Sequence, residues 1–222
     1  MNVLITGTSR GIGKATALLF LERGYNVFGF DMRTGTIEHG HYKHFVVDIT
    51  AERDYPVLPA INILINNAGI QCSGVPGGVI DVNLKGTFSI TERYGIQPSI
   101  KSIIMVGSAS AHTGSEFPEY CASKAGLLAY VKNTALRVSK WGATCNSVDA
   151  GGVITELNKP VLENDALWKQ IMNVTPLKRW ATPEEIAQWI YFLAVQQNFC
   201  TGQCVVIDGG ESINSSFIWP NN

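Results

Sequence analysis

The chain has 222 residues, is 45% hydrophobic and carries a net charge of −1. That is enough apolar material for one sizeable core, and a regular alternation of elements favours one domain over two. With charge near zero and no basic cluster there is no electrostatic footprint for nucleic acid or an anionic membrane, and no apolar run is long enough to span a bilayer.

Residues Met1 to Thr6 run straight into a strand-like segment, without the basic start and cleavage site of a secretory signal, so the cytoplasm is the expected compartment. Val3 to Thr6 reads as a first strand. Ile12 to Arg23 has helical periodicity and stops at Gly24. Asn26 to Phe30 and Lys43 to Val47 are the second and third strands, followed by a weak helical stretch broken by Pro56 and Pro59. Ile61 to Ile65 is the fourth strand, Val79 to Tyr94 a helix, Ser102 to Val106 the fifth strand, and Tyr120 to Lys140 a long helix. Thr144 to Val148 is the sixth strand, and Thr155 to Thr175 is irregular or partly helical. Thr182 caps a helix with Pro183 at its first position, and Cys204 to Ile207 is the last strand.

This order predicts an α/β, doubly wound, Rossmann-type parallel sheet of about seven strands with helices on both faces. Continuous apolar strands such as Ile61 to Ile65 belong in the middle layer, buried on both sides. No linker or repeat divides residues 1–222, and the tail 211–222 carries Phe217, Ile218 and Trp219, which need cover from this subunit or a neighbour. Cys72, Cys121, Cys145, Cys200 and Cys204 are scattered and odd in number, which is no disulfide framework, and Cys200 with Cys204 lacks the further ligands of a zinc site. His39, His41 and His44 read as a solvated loop, so no metal site is expected.

After the first strand comes Thr6-Gly7-Thr8-Ser9-Arg10-Gly11-Ile12-Gly13. Glycines here let the chain turn sharply and let its backbone approach a pyrophosphate, which rests on the N-terminus of the next helix. Asp31, at the end of the second strand, can take both ribose hydroxyls of adenosine and repel a 2′-phosphate, which favours NAD over NADP. Arg10 and Arg33 are the counterweight, since either can pair with a phosphate. Tyr120 and Lys124, in Tyr120-Cys121-Ala122-Ser123-Lys124, lie four residues apart on one helical face. An ammonium beside a phenol favours the phenolate, and a tyrosine tuned in that way can give or take a proton.

With these motifs the chain resembles the short-chain dehydrogenase/reductase family over nearly its whole length. The resemblance is carried by Thr6 to Gly13, the Val-Asp-Ile segment with Asp48, Asn66 to Gly69, the Val-Asn-Leu-Lys-Gly stretch with Asn83, Ser108, Tyr120 to Lys124, and the closing segments from Pro183 and from Thr201 to Gly210. It implies hydride transfer between a nicotinamide and a secondary alcohol or ketone, with Tyr120 as general acid or base and Lys124 lowering its pKa while holding the nicotinamide ribose. Ser108 would donate to the substrate oxygen, and Asn83 would hold a water relaying the proton from Lys124. It also implies that Gly7, Ser9, Arg10, Gly11, Ile12, Gly13, Asp31, Asp48, Ile49, Asn67, Ala68, Gly69, Val153 and Thr155 meet the cofactor, and that the protein is a homotetramer or a homodimer with the long helix across an interface. Ser108 equally suits a small strand-end residue, Asn83 a helix kink or cap, and Asp48 the N-cap of a short helix.

The chain departs from the family pattern at Ala150-Gly151, where Pro-Gly is usual, and at Asp149 before it. Losing the proline is expected to loosen the turn carrying Val153, and a carboxylate at Asp149 is costly if buried without a partner. Segments between Asp31 and Asn83 look trimmed, and the gap from Ser108 to Tyr120 is one residue short, which bears on the pocket wall. Pocket residues are expected from His112 to Phe117, at Gly152 and in the lid-like Thr155 to Trp168, with Phe117, Leu157 and Trp168 supplying an apolar component. A catalytically inactive nucleotide-binding regulator of the same fold is the alternative, and an epimerase or dehydratase a third reading.

Overall fold

A computed structural model describes residues 1–115 and 117–214; Phe217, Ile218 and Trp219 lie outside the described residues. Seven strands, β1 (Asn2–Thr6), β2 (Asn26–Asp31), β3 (Tyr42–Val46), β4 (Ile63–Asn66), β5 (Ser102–Ser108), β6 (Thr144–Ala150) and β7 (Cys204–Ile207), form one sheet. Their order is β3-β2-β1-β4-β5-β6-β7, with every neighbouring pair parallel. The order reverses between β1 and β4, and a crevice opens beyond the carboxyl ends of the strands at such a reversal.

Every residue of β4 and β5 is buried, as their unbroken apolar runs require. Alternate side chains serve opposite faces. Val3, Ile5, Ile63, Ile65, Ile104 and Val106 join one core with α1 (Gly11–Glu22). Leu4, Leu64, Ile103, Met105 and Cys145 join the other, against Leu127, Val131 and Ala135 of the long helix. Among the described residues no helix is long and apolar enough to cross a membrane.

The helix expected from Val79 to Tyr94 is a single rod over residues 78–95, but an irregular one. Short α segments α2 (Gly78–Ile80) and α3 (Thr87–Ile90) alternate with π turns at Asp81–Gly86 and Thr91–Gly95. Thr87 Oγ1 donates back to the Asn83 carbonyl at 2.8 Å, and Thr91 Oγ1 accepts from Asn66 Nδ2 at 2.9 Å, which ties the rod to the end of β4. A four-residue helix, α4 (Ser110–Thr113), not anticipated from periodicity, precedes α5 (Pro118–Val138). The stretch after Asp48 condenses to a single 3₁₀ turn at Glu52–Asp54. The segment read as irregular or partly helical holds α6 (Lys159–Leu162) and α7 (Asp165–Val174). Finally, α8 (Pro183–Tyr191), packed with the first core, opens on the expected cap: Thr182 Oγ1 accepts from the Glu185 N–H, and the Glu185 carboxylate accepts from the Thr182 N–H.

Both β5 and β6 extend two residues beyond their apolar runs, to Ser108 and Ala150. Paired backbone, not side-chain hydrophobicity, carries them on, with Gly107 opposite Asp149 and Ser108 opposite Ala150. Two groups of the site therefore stand on rigid strand.

Candidate active site

At the end of β1 the chain turns under Phe30, whose carbonyl accepts from the Gly7 N–H at 2.7 Å. Gly7 and Gly11 have φ of 75° and 53°, left-handed values that a side chain resists. Gly13 is required for a different reason: a Cβ there would overlap the Gly7 carbonyl oxygen and Asn67 Nδ2. Thr6 Oγ1 accepts from the N–H groups of Asn67 and Ala68 at 3.0 and 2.9 Å, and Asn67 Nδ2 donates to the Thr6 carbonyl at 2.9 Å. These bonds tie the ends of β1 and β4 together across the switch point, beside the N-terminus of α1, whose Ile12 packs on the core. The N-cap residue, Arg10, makes no side-chain cap, so the first-turn amides stay open to an anion.

Asp31 closes this cradle. Its Oδ2 accepts from the Ser9 N–H at 2.9 Å and its Oδ1 from the Arg33 N–H at 3.0 Å. Arg10 is drawn to Glu156 at 3.1 Å, which answers its charge within the protein. Thr155 abuts the loop, since a Cβ on Gly11 would lie 3.4 Å from Thr155 Cγ2. Asp48 Oδ1 accepts from the N–H and hydroxyl of Thr50, both at 2.8 Å. The 3₁₀ turn itself starts after Ala51, so Asp48 closes a local turn and is not its N-cap. Ile49 directs its side chain into the core, against Gly86, and its carbonyl accepts from Tyr55 Oη, so it faces protein and not the crevice.

Pro183 has a counterpart in Pro118, which opens α5 and sets Tyr120 in the first turn and Lys124 one turn on. Lys124 is buried, and its Nζ donates to the Val106 carbonyl at 2.8 Å. The same ammonium lies 5.7 Å from the centroid of the half-buried Tyr120 ring. Burial pulls the Lys124 pKa down to about 8, and the charge of Asp149 works against that shift. Gly69 is wedged here as well: a Cβ on it would lie 3.1 Å from Asn83 Oδ1 and 3.5 Å from Lys124 Nζ. Asn83, in the first π turn, accepts from the Ile70 N–H at 2.8 Å, donates to the Ile70 carbonyl at 2.9 Å and donates to Ser123 Oγ at 3.1 Å. Ser123 Oγ in turn donates to the Tyr120 carbonyl at 2.7 Å. Ser108 Oγ accepts from both the hydroxyl and the N–H of Ser110, at 2.8 and 3.2 Å, so Ser110 supplies the hydrogens and the Ser108 hydroxyl keeps its own. Gly69, Asn83 and Lys124 thus converge, with Tyr120 beside Lys124 and Ser108 two residues beyond the carbonyl that holds it.

Two expectations change. The turn after β6 is not loosened by the absent proline: Gly151 N–H donates to the Ile207 carbonyl at 3.0 Å, and buried Val153 pairs with Ala181 in a bridge closed by the Ile154 N–H at 2.9 Å. Backbone bonds supply the rigidity that a proline ring supplies elsewhere. Asp149 is fully buried but does have a partner, His112, whose Nε2 lies 2.6 Å from Asp149 Oδ2. Burial raises the Asp149 pKa, with His112, the Ser147 hydroxyl and Lys124 opposing. Thr6 and Ser123 lie inside the quoted motifs but their hydroxyls, like that of Ser110, carry no periodic signal that would give them a role from sequence. The histidine loop bonds to neighbours, His44 to Tyr42 at 2.9 Å and His41 to Asn26 at 3.0 Å, and among the described residues no His, Cys, Asp and Glu group is set to hold a metal.

The family model described as enoyl-(acyl-carrier-protein) reductase matches residues 7–212. The 3-oxoacyl-[acyl-carrier-protein] reductase of Thermotoga maritima is 32% identical, the match covering 93% of this chain and 96% of that protein. The ligand-free aldohexose dehydrogenase of Thermoplasma acidophilum superposes with a TM-score of 0.83 at 28% identity, over 99% of this chain and 97% of that one. The 3-oxoacyl-[acyl-carrier protein] reductase of Brucella melitensis, solved in complex with NAD, has a TM-score of 0.83 at 26% identity, over 96% and 98% of the two chains.

Proposed function

The chain belongs to the short-chain dehydrogenase/reductase family and is an NAD(P)-dependent oxidoreductase acting on CH–OH or C=O groups, and from that premise we propose that it uses NAD(H), with Tyr120 as its proton donor and acceptor, on a secondary alcohol or ketone. The observation that carries this reading is the buried Lys124 ammonium, fixed on the Val106 carbonyl at 2.8 Å and 5.7 Å from the Tyr120 ring centroid.

The residues fit a dinucleotide. Gly13 and Gly7 leave room that a Cβ would fill, and the α1 amides are free of a side-chain cap. Asp31, its two oxygens fixed by Ser9 and Arg33, keeps lone pairs for ribose hydroxyls and repels a 2′-phosphate. Arg10, held by Glu156, offers that phosphate little. Gly11, Thr155, Val153, Asn67, Ala68 and Gly69 line the path from this cradle to Lys124. Asp48 marks its adenine end. Once bound, the nicotinamide supplies or takes the hydride.

The protein moves the proton. Tyr120 Oη gives it to a carbonyl oxygen in reduction and takes it from a carbinol in oxidation. The Lys124 cation stabilises the negative charge this leaves on the phenol oxygen, in surroundings where water screens little. Ser108, with its hydroxyl hydrogen uncommitted, donates to the reacting oxygen and polarises it. Asn83, its amide committed to Ile70 and Ser123, holds the Ile70 backbone and, through Ser123, that of Tyr120 in register; a water on the relay from Lys124 would fall to its carbonyl oxygen. Tyr120→Phe should abolish turnover in an NAD⁺-coupled absorbance screen of secondary alcohols, with the NADH dissociation constant changed by no more than about threefold, under 1 kcal/mol. Turnover that survives in the phenylalanine variant overturns the assignment.

A further inference from the structure

Asp149 and His112 have no part in the chemistry above, yet they sit against it. Three consecutive β5 residues serve three groups. The Val106 carbonyl holds Lys124, Gly107 pairs with Asp149, and Ser108 carries the hydroxyl. Gly107 has to lack a side chain, because a Cβ would overlap Asp149 Oδ1. That oxygen has no hydrogen-bond partner among the described residues, and the other, Oδ2, holds His112 Nε2 at 2.6 Å. His112 stands on α4, whose start is pinned by the Ala109 N–H on the Ala150 carbonyl at 2.9 Å and by Ser110 on Ser108 at 2.8 Å. Its side chain is 31% exposed, so the imidazole runs from a fully buried carboxylate out to solvent, four residues after Ser108.

With Nε2 turned to Asp149, Nδ1 is the atom left to face a ligand. If Asp149 is ionised and the ring neutral, Nε2–H donates to the carboxylate and Nδ1 accepts. If the pair holds one more proton, Nδ1 carries a hydrogen and donates, whichever partner owns the extra proton. Burial of Asp149 favours this second state. A hydroxyl group satisfies both states, because it gives and takes. A substrate with only the reacting oxygen leaves Nδ1 unanswered once water is excluded.

We propose that His112, held by Asp149, is a specificity-determining residue that hydrogen-bonds a second hydroxyl on the substrate, beside the carbon that exchanges hydride. The inference rests on the oxidoreductase reading above and narrows its substrates to vicinal diols and hydroxyketones, polyols included. Asp149 is a positioning residue: it fixes the ring without touching the substrate.

The test compares trans-cyclohexane-1,2-diol with cyclohexanol, using NAD⁺ and the full chain. The wild type should favour the diol about tenfold in kcat/KM; a fully buried site would discriminate far more. His112→Ala should lower kcat/KM about tenfold more for the diol than for cyclohexanol, so that the preference is gone, and His112→Gln, which keeps a donor and an acceptor, should restore part of it. The double variant His112→Ala/Asp149→Ala guards against misfolding, because it leaves no unpaired buried carboxylate. No diol preference in the wild type, or an equal loss on both substrates, overturns the proposal. Where neither alcohol turns over, fluorescence of the NADH complex titrated with the diol gives the readout, and absence of His112-dependent diol binding overturns it. Tyr120→Phe decides the enzyme reading separately, since its failure leaves the diol-binding comparison intact.

Discussion

Replacing Lys124 by methionine should destroy turnover and yet stabilise the apo-protein at neutral pH. The side chain is 5% exposed, and burial takes its pKa from an ordinary 10.5 to about 8. That difference is a native-state penalty of about 3 kcal/mol wherever both folded and unfolded chains hold the proton, which is below pH ~8. From there to pH ~10.5 the unfolded chain binds more protons than the native one, so wild-type stability climbs with pH until the penalty is gone. Methionine has nearly the same reach and no charge. Its cost is the lost bond at 2.8 Å to the Val106 carbonyl, about 1–2 kcal/mol for an acceptor left without its donor. Asp149 loses an attractive neighbour as well, but keeps its contact with His112 at 2.6 Å.

The balance is a gain of about 1–2 kcal/mol at pH 7, or about 3–6 °C in Tm for a chain of this length. Thermal melts of wild-type and Lys124→Met apo-protein from pH 6.5 to 9.5, followed by circular dichroism, measure it. The gap should be widest at the acid end, close above pH 8 and then reverse in favour of the wild type, which retains its hydrogen bond. A methionine variant less stable at pH 7, or a gap indifferent to pH, refutes the view that this ammonium is held against its own solvation for the sake of catalysis.

Three further outcomes are expected. Asp31→Asn should raise the KM for NAD⁺ roughly tenfold, the effect of losing about 1.4 kcal/mol of ribose recognition, and should improve NADP⁺; steady-state kinetics with both dinucleotides measures this, and unchanged preference contradicts the role given to Asp31. Gly13→Ala forces a methyl against the Gly7 carbonyl and Asn67, a strain of about 1–3 kcal/mol; calorimetry should show NADH binding weakened tenfold or more while the fold survives by circular dichroism. Thr182→Ala removes one half of the capping box on α8 and should cost about 1 kcal/mol in urea unfolding with activity intact.

How far the chain could be read depends on how far apart the partners lie. The strands of this sheet are local statements: an apolar run of four or five residues announces burial by itself, and Thr182-Pro183 announces a helix start within three residues. Gly7, Gly11 and Gly13 announce a tight turn, although only the structure shows that Gly13 is cleared for Asn67, far along the chain. Strand ends were misplaced at Gly107-Ser108 and Asp149-Ala150 because pairing there is held by the neighbouring backbone, which leaves no hydrophobic trace. At Asn83 the sequence offers a helix kink or cap, and the structure puts the residue in a π turn; helical periodicity continues through that turn, so the apolar pattern by itself does not show it. Asp149 is the instructive case. Read alone it was a liability, an acid where a buried strand should end. The second half of the pair, His112, stood in view but mixed among loop residues, 37 positions away. A buried charge is therefore a legible question with a non-local answer: desolvation makes a partner strongly favoured, and only the fold can say which group it is and what the remaining face of that partner is left to do.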